Sequence, residues 1–181
     1  MGMRLELPGG ALSDGVVCLR PFGMADEDWV FETCSTDREI SRWTRVPWPY
    51  TREHAREFLG RTPELWQAGT DATFAIIDAA DGRRLGSVGI HRIAGTSAGD
   101  ELADEVGYWL AEDARGHGAA TRAVRLISAW AFTYVGRPRL HLQTLPANVR
   151  SQRVAARAGY TRMPEMDEAA GHLVFRLDAP R

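Results

Sequence analysis

A loop of small residues leads directly into a strongly helical segment in "EDARGHGAATRAVRLISAWAF", residues 112–132. The first turn of a helix leaves its backbone N–H groups without partners and carries the positive end of the helix dipole. A loop reduced to glycine and alanine lets a phosphate group approach those N–H groups closely. The segment therefore predicts an anion-binding site at Gly116 and Gly118. A tight surface turn that binds nothing is the alternative at this point.

Aromatic residues and prolines are concentrated in a second segment, "RWTRVPWPYT", residues 42–51. Proline restricts the backbone, and this composition fits neither a helix nor a strand. The rings of Trp43, Trp48 and Tyr50 offer stacking surface, so the segment predicts one wall of a substrate pocket. Packing of the same rings against the protein core is the alternative interpretation.

The overall composition is that of an ordinary globular protein and predicts a single domain over residues 1–181. Of the 181 residues, 44% are hydrophobic and 25% are charged, which suffices for a core without disulfides or metal. The formal net charge of -2 argues against a general nucleic-acid binder. No apolar run approaches the roughly 20 residues of a membrane span, and the first residues lack an apolar leader, so we expect a cytoplasmic protein.

Cysteine and histidine offer little further chemistry. Cys18 and Cys34 lie in apolar contexts typical of small core residues in a reducing compartment. The five histidines are scattered without the paired spacing of metal ligands. The sequence therefore predicts no metal site.

Hydrophobic patterns in the first half of the chain predict a strand at Val16–Phe22 and a helix that begins within residues 24–34. Thr51 is predicted to cap a second helical region. We expect Pro63 to start a new turn there rather than to lie inside one continuous helix. Two apolar runs flank Asp81–Gly82, which indicates a β-hairpin because glycine accepts a positive φ angle.

The second half predicts a strand at Asp104–Leu110, a helix from Ala119, a strand within residues 139–145 and a short helix from Asn148 to Gly159. The predicted order is strand, two helices, three strands, helix, strand, helix and two final strands. Alternation of this kind indicates a mixed α/β or α+β fold with antiparallel hairpins.

Two motifs, taken together, resemble one family. The sequence "RGHGAA" at residues 115–120 is similar to the Arg/Gln-x-x-Gly-x-Gly/Ala acetyl-coenzyme A loop of the GNAT superfamily of acyltransferases. Further along, "NVRSQRVAARAGY" at residues 148–160 resembles a helix of the branch that acetylates the N-terminal serine or alanine of ribosomal proteins. Because "LRPF" at 19–22 and "VGYWL" at 106–110 also fit that branch, the resemblance covers nearly the whole chain.

The resemblance implies a central, mostly antiparallel sheet flanked by helices and acetyl-coenzyme A as the acyl donor. It implies that the donor's pyrophosphate lies on the backbone of the glycine loop, formed by Arg115, Gly116, His117, Gly118, Ala119, Ala120 and Thr121. Five arginines could add positive charge there: Arg122, Arg125, Arg150, Arg153 and Arg157. We expect at most two of them to touch the ligand, because the last three are spaced as a solvated helix face.

In this family the strand before the loop splays from the next strand, and its free backbone groups hold the pantetheine arm and polarise the thioester. Here that strand is Asp104–Leu110, with Tyr108, Trp109 and Leu110 as the implied backbone contacts. Gly107 within it is consistent with a β-bulge.

Attack by an amine requires a proton acceptor, since most of the amine is protonated at neutral pH. Glu105 is the predicted base because it lies on the strand that crosses the site, and alternation places Asp104 on the opposite face. An exposed acid at a strand end is the alternative reading of Glu105, with Asp104 or ordered water as the base.

Asn148 and Ser151 complete the implied site, since they stand three residues apart on one side of the short helix. The resemblance implies that Asn148 binds the pantetheine region and that Ser151 hydrogen-bonds or protonates the departing sulfur. Many GNAT enzymes use a tyrosine seven residues after the asparagine, where this chain has Ala155. A hydrogen bond from Ser151 to backbone in the first turn of the helix is the alternative.

We therefore predict an acetyl-coenzyme A-dependent N-acetyltransferase that acts on a primary amine, a protein N-terminus in the branch it resembles. A small-molecule amine, a larger donor such as succinyl-coenzyme A, a non-catalytic coenzyme A-binding module and a homodimer remain open. A phosphate-loop nucleotide-binding protein is disfavoured because no lysine follows the glycines. We expect no nucleic-acid or membrane partner.

Overall fold

The computed structural model describes residues 5–93, 102–167 and 172–181. Its strands are β1 (Leu12–Ser13), β2 (Val17–Pro21), β3 (Ala72–Asp78), β4 (Arg84–His91), β5 (Glu105–Leu110), β6 (Arg139–Thr144), β7 (Thr161–Arg162) and β8 (Leu173–Asp178). Its α-helices are α1 (Glu27–Thr36), α2 (Arg38–Trp43), α3 (Arg52–Ala68), α4 (Ala119–Thr133) and α5 (Val149–Ala158).

The eight strands form one sheet in the order β1-β2-β3-β4-β5-β6-β8-β7. Neighbouring strands are antiparallel except β5 and β6, which are parallel. The predicted mixed, mostly antiparallel sheet flanked by helices is confirmed.

The two faces of the sheet pack against different helices because side chains alternate along each strand. Phe74 and Ile76 of β3 belong to a large core cluster that includes the apolar side of α4. Ala75 and Ile77, one residue out of step, belong to a second cluster with residues of α1 and α3. We call the first the α4 face and the second the α1–α3 face.

Local signals in the sequence account for most element boundaries. The Thr51 hydroxyl accepts a hydrogen bond from the His54 N–H and caps α3 as predicted. Asn148 caps α5 through a bond from the Ser151 N–H. Gly82, at φ 76°, closes the predicted hairpin between β3 and β4. These positions were identifiable because each uses a residue type with a specific backbone or capping role.

Three local expectations were wrong. Pro63 lies inside the continuous helix α3, where burial of Leu59 and Thr62 against the core outweighs the roughly 3 kcal/mol cost of an internal proline. The aromatic segment begins inside a helix, α2, which Asp37 caps by accepting from the Glu39 N–H. Gly107 lies in regular register with Gly89 rather than in a bulge.

Within the described ranges, no helix is long and apolar enough to cross a membrane. Those ranges also hold no group of three or more His, Cys, Asp or Glu side chains that could bind a metal ion.

Candidate active site

The glycine loop before α4 has the conformation and openness that an anion site requires. Gly116 and Gly118 have φ angles of 84° and 85°, a left-handed conformation that other residues adopt only with strain. A β-carbon built at either glycine would meet no atom within 4 Å. Gly118 is the N-cap residue of α4, and no side chain caps that helix. The first-turn N–H groups of α4 are therefore left for a ligand.

Arg115 is in the loop, but its guanidinium group turns towards the protein. It donates to Asp37, the capping residue of α2, and to the carbonyl oxygen of Leu110 at 2.9 Å. The side chain therefore joins the glycine loop to α2, and only its backbone is placed for the role the resemblance implies.

Strands β5 and β6 pair over a short stretch only, and we call the unpaired stretch that follows the opening between β5 and β6. Strand β5 pairs with β4 over all six of its residues, from Glu105 with His91 to Leu110 with Gly86. Its parallel pairing with β6 has one register pair, Glu105 with His141, while β6 continues along β8. The two strands thus diverge beyond Glu105, as the resemblance implies for the strand that would hold a pantetheine arm through Tyr108, Trp109 and Leu110.

A tyrosine and a serine meet on the α4 face of this opening. The Tyr108 hydroxyl donates to Ser151 Oγ at 3.2 Å, and the Ser151 N–H is held by the Asn148 side chain at 3.1 Å. Because Ser151 Oγ accepts from Tyr108, its own hydrogen remains available to a third group. Burial raises the pKa of Tyr108 to about 12, so this hydroxyl stays protonated at neutral pH.

Charged residues line the other face of the same strand. Both carboxylate oxygens of Glu105 accept hydrogen bonds, from Arg45 at 3.0 and 3.3 Å and from Arg92 at 2.9 Å. The Glu105 side chain is 12% exposed, whereas Arg45 is 78% exposed. Glu105 therefore ties the loop after α2 to the sheet, and its role as a base stays a prediction.

Asp104, the alternative base, belongs to a different environment. Only 4% of this residue is exposed, and its carboxylate pairs with Arg137 at 3.0 Å. The structure places Asp104 before β5 rather than in it, and its role as a base stays a prediction.

The three predicted aromatic substrate contacts separate in the structure. Trp48 is 42% exposed and lies beneath the Arg38 guanidinium at 5.6 Å. An open cavity of about 480 Å³ beside it is lined by Arg38, Glu39, Ser41, Arg42, Val46 and Trp48. Trp43 is partly buried and donates to Glu39 at 2.8 Å. Tyr50, at 8% exposure, belongs to the core cluster on the α1–α3 face and is not among the cavity's lining residues.

Two of the arginines near the loop are engaged within the protein. Arg122 pairs with Asp14 at 2.7 Å, and Arg125 donates to the Arg157 carbonyl oxygen. Arg150 and Arg153 are exposed on α5, as a solvated helix face requires.

Sequence reasoning missed two features of this site. It assigned Tyr108 only a backbone role, although strand alternation from Glu105 already places the two side chains on opposite faces. It also gave Arg45 no role, because nothing in the sequence shows that a residue 60 positions away would pair with Glu105.

Comparison with known proteins identifies a family whose domain this chain matches. Residues 17–161 match the acetyltransferase (GNAT) domain. The chain is 31% identical over 111 residues to the probable N-acetyltransferase YjcK of Bacillus subtilis, a match that spans 61% of this chain and 60% of that protein.

Solved structures match this chain over a larger share of its length. Mycobacterium smegmatis RimJ in complex with CoA-disulfide is 25% identical, with a TM-score of 0.75 over 94% of this chain and 86% of that one. The ribosomal-protein-S5-alanine acetyltransferase of Vibrio fischeri is 19% identical, with a TM-score of 0.75 over 93% of this chain and 96% of the other, and shows a shared fold.

Proposed function

The chain belongs to the GNAT acetyltransferase family, and from this premise we propose that it transfers the acetyl group of acetyl-coenzyme A to a primary amine. The observation that carries the proposal is the opening between β5 and β6, which leads to an exposed left-handed glycine loop at the start of α4. The proposal assigns the thioester to this opening and the pyrophosphate to the loop.

The residues present fit this donor by their own geometry. First-turn N–H groups of α4 are not capped by a side chain, and the β5 edge that faces away from β4 lacks strand pairing beyond Glu105 among the described residues. Both features supply backbone donors, which suit phosphate and carbonyl oxygens. Bound acetyl-coenzyme A would supply an activated acyl group, and the protein orients it.

Ser151 and Tyr108 are proposed to act on the leaving sulfur. As the C–S bond breaks, negative charge develops on sulfur, and Ser151 Oγ donates its hydrogen towards it. Tyr108 donates to Ser151 Oγ, which offsets the charge that the serine oxygen gains as its hydrogen moves. Many GNAT enzymes use a tyrosine in the helix that corresponds to α5, but this chain has Ala155 at that position. In this proposal Tyr108 supplies the tyrosine hydroxyl instead.

The amine is proposed to enter from the α1–α3 face, opposite the leaving sulfur. Glu105 lies on that face with Arg45, and the open cavity beside Trp48 adjoins the same loop. We propose a protein N-terminus as the acceptor, supported by the named activity of the Vibrio fischeri relative and by the exposed Trp48 side chain beside the open cavity.

Thiol release from acetyl-coenzyme A, measured with and without an amine, tests the function. The panel of acceptors contains peptides with a free N-terminus, the same peptides with a blocked N-terminus, and small amines. We expect release only when a free N-terminus is present. Thiol release with small amines alone would show that the acceptor is a small molecule. Release from succinyl-coenzyme A alone would show that the donor is succinyl-coenzyme A. Coenzyme A binding without any release would show a non-catalytic binding module.

A further inference from the structure

A histidine–aspartate pair that the sequence did not single out lies on the amine side of the opening. His91, the last residue of β4, is the cross-strand partner of Glu105, so both side chains lie on the α1–α3 face. His91 Nδ1 is 2.9 Å from Asp71 Oδ1. An ionised carboxylate only accepts hydrogen bonds, so Nδ1 carries the hydrogen and Nε2 of the neutral ring holds the free electron pair.

Two glycines make room for this ring. Gly89 and Gly107 are direct cross-strand partners in β4 and β5. A β-carbon at Gly89 would lie 3.3 Å from His91 Cε1, and one at Gly107 would lie 3.5 Å from Nε2. The imidazole therefore lies over a glycine pair with its Nε2 edge above the middle of β5. Side chains larger than a methyl group at Gly107 would compete with the ring for this space.

We propose that His91 is the group that accepts the amine's proton, and that Asp71 is its positioning residue. The inference rests on the proposed function, because it requires the thioester to lie along β5 beyond Gly107. His91 is 37% exposed, so an acceptor amine can reach it. On the opposite face of the same strand stand Tyr108 and Ser151, which places proton removal and sulfur departure on opposite sides of the reacting carbon.

Glu105 is less well placed to accept a proton, since its oxygens already accept three hydrogen bonds from Arg45 and Arg92. An amine would have to displace a guanidinium group to reach it. The charged groups that face His91 are Asp71 from the turn before β3 and Glu105 from β5, with Arg45 and Arg92 beyond Glu105.

The proposed step conserves atoms and charge. The amine nitrogen forms a bond to the thioester carbonyl carbon, and its N–H proton passes to His91 Nε2, which becomes imidazolium. The C–S bond breaks, and the sulfur leaves as a thiolate that accepts the Ser151 hydrogen bond and then takes its proton from solvent. His91 then releases its proton to water.

The test compares kcat of His91→Ala, His91→Asn and Asp71→Asn with that of the wild-type protein at saturating amine across a range of pH. We expect kcat of the His91 variants to fall about 10²-fold, the usual scale for a positioned base, with the coenzyme A dissociation constant unchanged. Asp71→Asn should lower kcat by a smaller factor. Added imidazole should partly restore His91→Ala, increasingly as pH rises and imidazole loses its proton. His54→Gln is the matched histidine control and should keep the wild-type pH profile.

Several results would overturn the inference. Wild-type kcat and pH profile in both His91 variants would exclude a proton-accepting role. A 10²-fold loss in Glu105→Gln, with the His91 variants unaffected, would assign the base to Glu105. Weaker coenzyme A binding in the His91 variants, without imidazole rescue, would make the pair structural. A wild-type protein that binds coenzyme A but acetylates no amine would refute the proposed function itself, and this inference with it.

Discussion

Removal of the Ser151 hydroxyl should slow the chemical step and leave donor binding almost unchanged. The hydroxyl is proposed to donate to a developing thiolate, a charge-assisted hydrogen bond that contributes roughly 1.5–3 kcal/mol. If the bond forms mainly in the transition state, Ser151→Ala lowers the rate by about 10- to 150-fold. Tyr108→Phe removes only the neutral hydrogen bond to Ser151, 3.2 Å long. A neutral bond contributes about 0.5–1.5 kcal/mol, which corresponds to about 2- to 13-fold in rate.

The double variant distinguishes a chain of hydrogen bonds from two independent contacts. If Tyr108 acts only through Ser151, the double variant should be no slower than Ser151→Ala alone. Single-turnover rates with saturating acetyl-coenzyme A measure the chemical step, and a second donor with a more acidic thiol should reduce all three defects because its sulfur leaves with less help. Rate losses that multiply in the double variant would refute the chain. A Ser151→Ala loss that is equal with both donors, or confined to donor affinity, would reduce Ser151 to a positioning residue.

Three further substitutions test the glycine loop, the amine side of the site and an ion-pair cluster of the fold. Gly118→Glu should abolish coenzyme A binding in calorimetric titration. The protein should stay folded, because the new side chain enters open space and left-handed strain costs only about 1–2 kcal/mol. Unchanged affinity would show that the loop is not part of the site. Glu105→Gln should lower kcat by less than about tenfold and raise the KM for the amine, since Glu105 anchors the exposed Arg45; a loss of kcat of about 10²-fold, the usual scale for a positioned base, would contradict this. Asp26→Asn should lower the free energy of unfolding at neutral pH by about 2–4 kcal/mol, measured by denaturant titration. The difference from the wild-type protein should shrink at pH 3. An equal loss at both pH values would refute an electrostatic origin of the effect.

The sign of the Asp26 effect follows from its surroundings. Burial alone would raise the pKa of Asp26, but hydrogen bonds from Arg20, the Gly23 N–H and Arg84 outweigh it and hold the pKa well below its usual range. A lowered pKa in the folded state stabilises the protein above the unfolded-state pKa of about 3.9. That contribution is lost as the pH falls below this value towards the folded-state pKa.

The elements of the fold could be predicted where a single residue type dictates local geometry. Thr51, Asn148 and Gly82 marked two helix starts and a hairpin, and the glycine loop marked the start of α4. Predictions failed where tertiary packing decided. Pro63 breaks no helix because the helix around it is held by burial against the core, an effect that local propensity does not contain.

The donor side of the site could be predicted from the sequence, and the amine side only in part. Asn148, Ser151 and the glycine loop lie within two short continuous motifs, so their relation was visible in the sequence. The contacts of Glu105 with Arg45, and of His91 with Asp71, join residues 60 and 20 positions apart. Such contacts arise only when β4, β5 and the loop after α2 come together, and no spacing rule within one element predicts them.

Mass spectrometry of a peptide with a free N-terminus, after incubation with the protein and acetyl-coenzyme A, tests the proposed acetyl transfer directly. Because the sequence contains no lysine, the protein's own side chains provide no competing lysine amines. We expect the peptide to gain one acetyl group at its N-terminus, the N-terminally blocked peptide to gain none, and Gly118→Glu to abolish the reaction. The opposite result would be a protein that binds acetyl-coenzyme A but acetylates neither the free peptide nor any other amine in the panel. That result would contradict the proposed acetyl transfer.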